Sequence, residues 1–122
     1  MTNEAYGWVS IALGVLMGLA LGPGADRETW LGGYGSRQRR LLRLSHVSLF
    51  GLGFINVLFE RAALALPPGL DAASRAALLS GSALVSVACL AAAFFRPAKW
   101  ALPPAALLVA FAVLAAAWSR LT

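Results

Sequence analysis

His46 is the only histidine in the chain, and so the only side chain that can change charge near neutral pH or ligate iron through an imidazole. Arg39, His46, Gly53 and Glu60 are spaced by sevens, which keeps them within about 60° of one another on a straight helix. Arg43 lies on that side and Asn56 on its flank. Such a stripe, on a helix otherwise built of Leu, Phe and Val, faces protein or water rather than lipid. Three kinds of chemistry suit it: haem iron ligation, contact with a quinone, and proton handling. For haem b, Gly51 and Gly53 would let a flat macrocycle approach, and Arg39, Arg40 or Arg43 would meet its propionates. A second axial ligand would have to be Met17, at comparable depth on the preceding helix, or come from another chain. The cofactor-binding candidates are therefore His46, Arg43, Gly53 and Met17, with His46 as the metal ligand. The plainer reading has His46 bonded to a carbonyl or Ser of a neighbouring helix and Met17 filling the core. A proton path by this helix alone is disfavoured, because glycines occupy the roughly 15 Å between His46 and Asn56.

The remaining patterned residues read as packing. Gly14, Gly18 and Gly22 form a ridge four residues apart, with Gly7 one heptad earlier, along which a second helix can approach closely. Its partner is either the next helix of this chain or a helix of another. Asn56 is expected to hydrogen-bond across helices, which contributes about 1 kcal/mol. Ser82, Ser86 and Cys89 share a small-residue face. Glu60 and Arg61 read as interfacial charges, paired with Arg75 or Asp71. No metal-ligand cluster, nucleophile constellation or phosphate-binding glycine loop stands in the sequence, so an enzyme in its own right is not expected.

The elements that must hold these residues are four long apolar runs. The chain is 60% hydrophobic and 12% charged over 122 residues, whereas soluble domains carry about 25% charged residues. Each run approaches the roughly 20 residues that cross a bilayer as a helix. The predicted fold is an all-α integral membrane protein, a single four-helix transmembrane bundle over residues 1–122. Its helices are expected at about 6–22, 41–66, 72–96 and 102–119, with a loop at 23–40. Gly22-Pro23-Gly24 should end the first helix and Pro67-Pro68-Gly69 the second. Asp71 should cap the third, Pro97 should stop it, and Pro103-Pro104 should fit the first turn of the fourth. In the long loop, Ala25 to Leu31 should form one or two helical turns ended by Gly32-Gly33, with Trp30 at the interface. Tyr6, Trp8, Trp100 and Trp118 suit an aromatic belt.

Charge orients this bundle. The first and third connections hold Arg27, Arg37, Arg39, Arg40, Arg43, Arg96 and Lys99, against Arg61, Arg75 and Arg120 on the other side. The positive-inside rule then puts the 23–40 loop in the cytoplasm and both termini outside. The net charge of +5 has this topological cause, so nucleic acid is not an expected partner. No basic residue precedes the first apolar run, which is read as a retained helix rather than a signal peptide. The lone Cys89 excludes an internal disulfide. Ten of the twelve glycines precede Pro67, while residues 67–122 hold eighteen alanines. Close packing and any site are accordingly expected on the first two helices, with the last two as scaffold or lipid-facing wall.

The functional expectation is a small non-catalytic subunit of the bacterial cytoplasmic membrane, packed into a larger complex or against itself. An energy-converting complex, respiratory or photosynthetic, is the specific form, with His46 near a haem or quinone. A small homo-oligomeric transporter or channel is the alternative.

Overall fold

The computed structural model describes residues 1–62 and 64–122. It contains α1 (Asn3–Ala25), α2 (Arg37–Arg61), α3 (Pro68–Phe94) and α4 (Leu102–Leu121), with 3-10 turns at Trp30–Gly32 and Arg96–Ala101. By length and composition, four helices can each cross a membrane.

Capping and proline chemistry set the ends, and they move several expected boundaries. Thr2 opens α1, its hydroxyl accepting from the Ala5 N–H at 3.1 Å. Gly22-Pro23-Gly24 does not stop the helix, which carries Pro23 in its last turn and ends at Ala25. Ser36 caps α2 by accepting from the Arg39 N–H at 3.2 Å, which draws the Arg37–Arg40 turn into the helix. At its far end α2 stops at Arg61, before the apolar 64–66 stretch that was expected to continue it. Hydrophobicity there reflects burial rather than helix, since Leu64 packs against the core of Phe59, Leu78 and Ala112. Pro67 precedes another proline and is extended (φ −54°, ψ 144°), so α3 begins at Pro68, where a missing N–H costs nothing. Asp71 is thus already inside the first turn and is not the cap; its carboxylate instead accepts from Arg75 one turn on, at 2.8 Å.

Contacts follow chain order: α1 packs along α2, α2 along α3, and α3 along α4, with little between α1 and α3. The middle pair is the spine. α3 buries ten residues, more than any other helix, so it is not a lipid-facing wall. Alanine and serine serve there as glycine serves on α1, since a small side chain lets backbones approach. At Gly81 a Cβ would lie 2.9 Å from the Ala105 carbonyl oxygen of α4. α4 buries only Ala105, Ala112 and Ala115, while Leu107, Leu114 and Trp118 point outward. Small and polar residues lie inside, with Leu16, Leu19, Val47, Leu58 and Val87 outside, a distribution that suits helices surrounded by an apolar phase.

Candidate functional site

The seam between α1 and α2 places most of the patterned residues. A Cβ at Gly7 would sit 2.5 Å from the Gly53 carbonyl oxygen; one at Gly53 would sit 3.0 Å from that of Gly7 and 2.9 Å from Ile11 Cγ1. A Cβ at Gly14 would lie 2.9 Å from the Phe50 ring, and one at Gly18 2.9 Å from His46 Cε1. The partner of the glycine ridge is therefore α2 of the same chain. Gly22 has no neighbour within 4 Å and takes no part in it. The contacting residues are 7, 14 and 18, opposite 53, 50 and 46.

His46 is half-buried in this seam, edge-on to Phe50 with ring centroids 5.2 Å apart. Its Nδ1 is buried with no hydrogen-bond partner among the described residues, so neither the carbonyl nor the Ser partner expected for it is present. The other cofactor candidates lie elsewhere. Gly53, which was to admit a macrocycle, is covered by α1. Met17 lines a groove between α1 and α3 in which His46 takes no part. Arg43 turns to the loop, its guanidinium 4.6 Å from the Tyr34 ring and donating to the Tyr34 carbonyl at 3.3 Å. His46, Arg43, Gly53 and Met17 thus do not converge, and the donor set does not fit a haem: the face of α2 that would take the ring is filled by α1.

A ladder of polar side chains joins the three packed helices. Asn56, fully buried, donates to the Leu52 carbonyl at 2.8 Å and to Ser82 Oγ at 2.9 Å, and accepts from Asn3 Nδ2 at 2.8 Å. Asn3 also donates to the Arg75 carbonyl at 3.1 Å, and its N–H to Glu60 at 3.2 Å. Ser10 donates to the Leu49 carbonyl at 2.8 Å. Toward the basic end, Ser45 donates to the Ser86 carbonyl at 2.9 Å, and the Ser48 and Ser86 hydroxyls meet at 2.9 Å. The sequence reading missed Asn3, Ser10, Ser45 and Ser48. The first two carry a legible signal, since Asn3, Gly7, Ser10 and Gly14 are spaced by 4, 3 and 4 and so share one helix face.

The two ends of the molecule differ in how charge is held. At the end with the termini, Arg61 pairs with Glu4, and Arg75 pairs with both Glu60 and Asp71 at 2.8 Å, while Arg120 donates to the Ala62 carbonyl. At the basic end Arg39 is 4% exposed, buried by its own loop. It donates to the Ala25 carbonyl at 2.8 Å and the Arg27 carbonyl at 3.0 Å, and its guanidinium lies over the Trp30 and Tyr34 rings. Arg39 thereby satisfies carbonyls that the end of α1 leaves free, a structural task rather than propionate binding. Gly32 (φ 82°) and Gly33 (φ 96°) supply the left-handed turn that brings the loop back over it.

Two of the grooves are almost wholly apolar. One, of about 660 Å³, lies between Leu13, Leu16 and Met17 of α1 and Val87, Leu90 and Phe94 of α3, with Leu42 and Leu49 as its floor. The other, of about 350 Å³, lies between α2 and α4 at Leu58, Phe59 and Val113. Both are apolar, without the converging polar groups that mark a catalytic pocket. Among the described residues no three of His, Cys, Asp and Glu come together as a metal site. Comparison with family models, with curated proteins and with solved structures gives no match, so the function has to be argued from the chain itself.

Proposed function

We propose that this chain is a small non-catalytic integral membrane subunit of the bacterial cytoplasmic membrane, with both termini outside, that packs laterally into a larger membrane assembly. One observation carries the reading: most polar side chains of the helix interior are consumed in bonds between helices, and the buried atoms left without a partner among the described residues, His46 Nδ1, Ser74 Oγ and Asp71 Oδ1, line no common cavity. Asn56, Ser10, Ser45, Ser48, Ser82 and Ser86 all bond to a neighbouring helix or to each other. A transporter or channel needs polar groups left free along a path, and a catalyst needs them converging in a cavity. Neither use is open to groups already paired. The outward faces of α1 and α4 support lateral packing, since they are wide and lined by large apolar side chains such as Leu16, Leu19, Leu107 and Leu114. The candidate ligands of this chain do not converge on His46, so the proposal includes no haem held by this chain alone.

Site-specific crosslinking tests the proposal. With Cys89 replaced by alanine, single cysteines at Leu19 and Leu107 are crosslinked in native membranes. The expected result is a discrete adduct of defined mass from at least one position, reproduced on a native gel in mild detergent. A monomer without adducts, which conducts or transports solute when reconstituted, would overturn the subunit reading in favour of the transporter.

A further inference from the structure

The apolar groove between α1 and α3 has a polar neighbour at its basic end. It runs along α1 from Leu13 to Leu21, about 12 Å at the helical rise. At the basic end it is bounded by Leu31 and Phe94. The same two side chains also line a second cavity of about 350 Å³, whose other walls include Ser36, Arg37, Gln38 and Arg96. A tail-shaped apolar space therefore adjoins a polar chamber with two guanidinium groups, Leu31 and Phe94 standing between the two. Among the described residues, the side chains of Arg37 and Arg96 make no ion pair or hydrogen bond, in contrast to Arg61 and Arg75 at the opposite end, which are paired to Glu4, Glu60 and Asp71. The chamber also sits at the start of α2, where the helix dipole adds positive potential.

We infer that this composite space is a binding site for an anionic phospholipid, with an acyl chain between α1 and α3 and its phosphate between Arg37 and Arg96. The chemistry selects that occupant over a partner helix. A helix packed into the groove would need apolar depth along the whole bundle, whereas this groove runs along only about 12 Å of α1 and adjoins positive charge. A neutral lipid would leave both guanidiniums without a counter-charge. Basic chambers between helices on the cytoplasmic side have the chemistry that anionic headgroups require. Both serines on the floor of the tail space are already bonded, Ser45 donating to the Ser86 carbonyl and the Ser86 hydroxyl meeting that of Ser48. The inference rests on the membrane placement proposed above, but not on the chain being a subunit of anything.

Native mass spectrometry of the full chain, released from micelles holding equal phosphatidylglycerol and phosphatidylcholine, reads the site directly. One phosphatidylglycerol per chain should be retained in preference to phosphatidylcholine. The Arg37→Gln/Arg96→Gln double variant should lower that retention about thirtyfold, the effect of two basic groups at a membrane surface. Arg120→Gln, at the opposite end, should leave it unchanged. Val87→Trp should block the tail space and reduce phosphatidylglycerol retention with both arginines in place, and Leu16→Trp on the facing wall does the same should the first variant fail to fold. Inorganic phosphate should not compete, because the tail supplies most of the affinity. Equal retention of the two lipids, or retention indifferent to the arginine pair, would overturn the inference. So would a phosphate adduct that displaces the lipid, or a protein crosslinked in the groove through a cysteine at Val87. None of these outcomes bears on whether Leu19 or Leu107 contacts a partner subunit.

Discussion

Replacing Gly7 with alanine adds one methyl group where α1 and α2 are in backbone contact. That carbon would lie 2.5 Å from the Gly53 carbonyl oxygen and 2.6 Å from Val57 Cγ2. Non-bonded heavy atoms are most favourably separated by about 3.5 Å or more, so the helices must part by up to about 1 Å. A gap of that size forfeits a quarter to a half of the dispersion attraction along the seam. Neither neighbour can rotate away cheaply, since one is backbone and the other a β-branched side chain held in the core. Overpacking of this kind costs about 1–3 kcal/mol, and the upper half of that range fits a clash with backbone. Alanine returns about 0.5–1 kcal/mol of helix propensity, leaving a net loss near 2 kcal/mol. Gly51 is the matched control: it lies on the same helix as Gly53, yet a Cβ there meets nothing within 4 Å. Gly51→Ala should therefore gain the about 0.5–1 kcal/mol of propensity alone. Reversible unfolding of both variants in mixed micelles, titrated with a denaturing detergent, measures the difference, expected near 3 kcal/mol. Gly7→Ala as stable as Gly51→Ala would refute the close approach of α1 to α2.

Three other outcomes follow from the same geometry. Asn56→Val should cost about 1–3 kcal/mol in that unfolding assay, because it strands the Ser82 hydroxyl and one Asn3 N–H in the core; Ser10→Ala, which frees only an already bonded helix carbonyl, should cost about 1 kcal/mol or less. The purified protein should show no haem absorption band, and His46→Asn should leave its spectrum unchanged, whereas a band lost in the variant would restore His46 as an iron ligand. Reporter fusions at Thr122 and within residues 26–37 should report opposite sides of the membrane, and identical answers would contradict the orientation drawn from the charge distribution.

Much of the architecture was legible because bilayer crossing is a one-dimensional constraint. Four apolar runs of bilayer length, with charge confined to their ends, give helix number and class without any knowledge of packing. The ends were less legible where hydrophobicity and helicity diverge. The 64–66 stretch is apolar without being part of α2, and Pro23 sits in a helix it was expected to end. The candidate site was read from a heptad stripe, and a stripe states only which residues share a face. His46, Gly53, Gly14 and Gly18 lie where α1 and α2 meet, whereas Gly22 of the expected ridge meets nothing and Met17 and Arg43 belong to different surroundings altogether.

By itself, then, the sequence determines the number of helices, the asymmetry of charge between their ends and the small-residue faces along which they approach. Each of these is a property of a segment alone. What tertiary structure decided is which faces meet: that α1 covers Gly53 and leaves no bed for a macrocycle, that α3 rather than α2 buries the most residues, and that Arg39 is spent on carbonyls of its own loop. The two adjoining cavities that share Leu31 and Phe94 draw on three helices and both 3-10 turns. Their residues run from Leu13 to Arg96, 83 positions apart, and no local pattern relates them. Inside an apolar environment every helix has many nearly equivalent ways to pack, so hydrophobicity cannot choose among them. Close backbone approach and a few polar bonds, such as Asn3 to Asn56 to Ser82, make the choice.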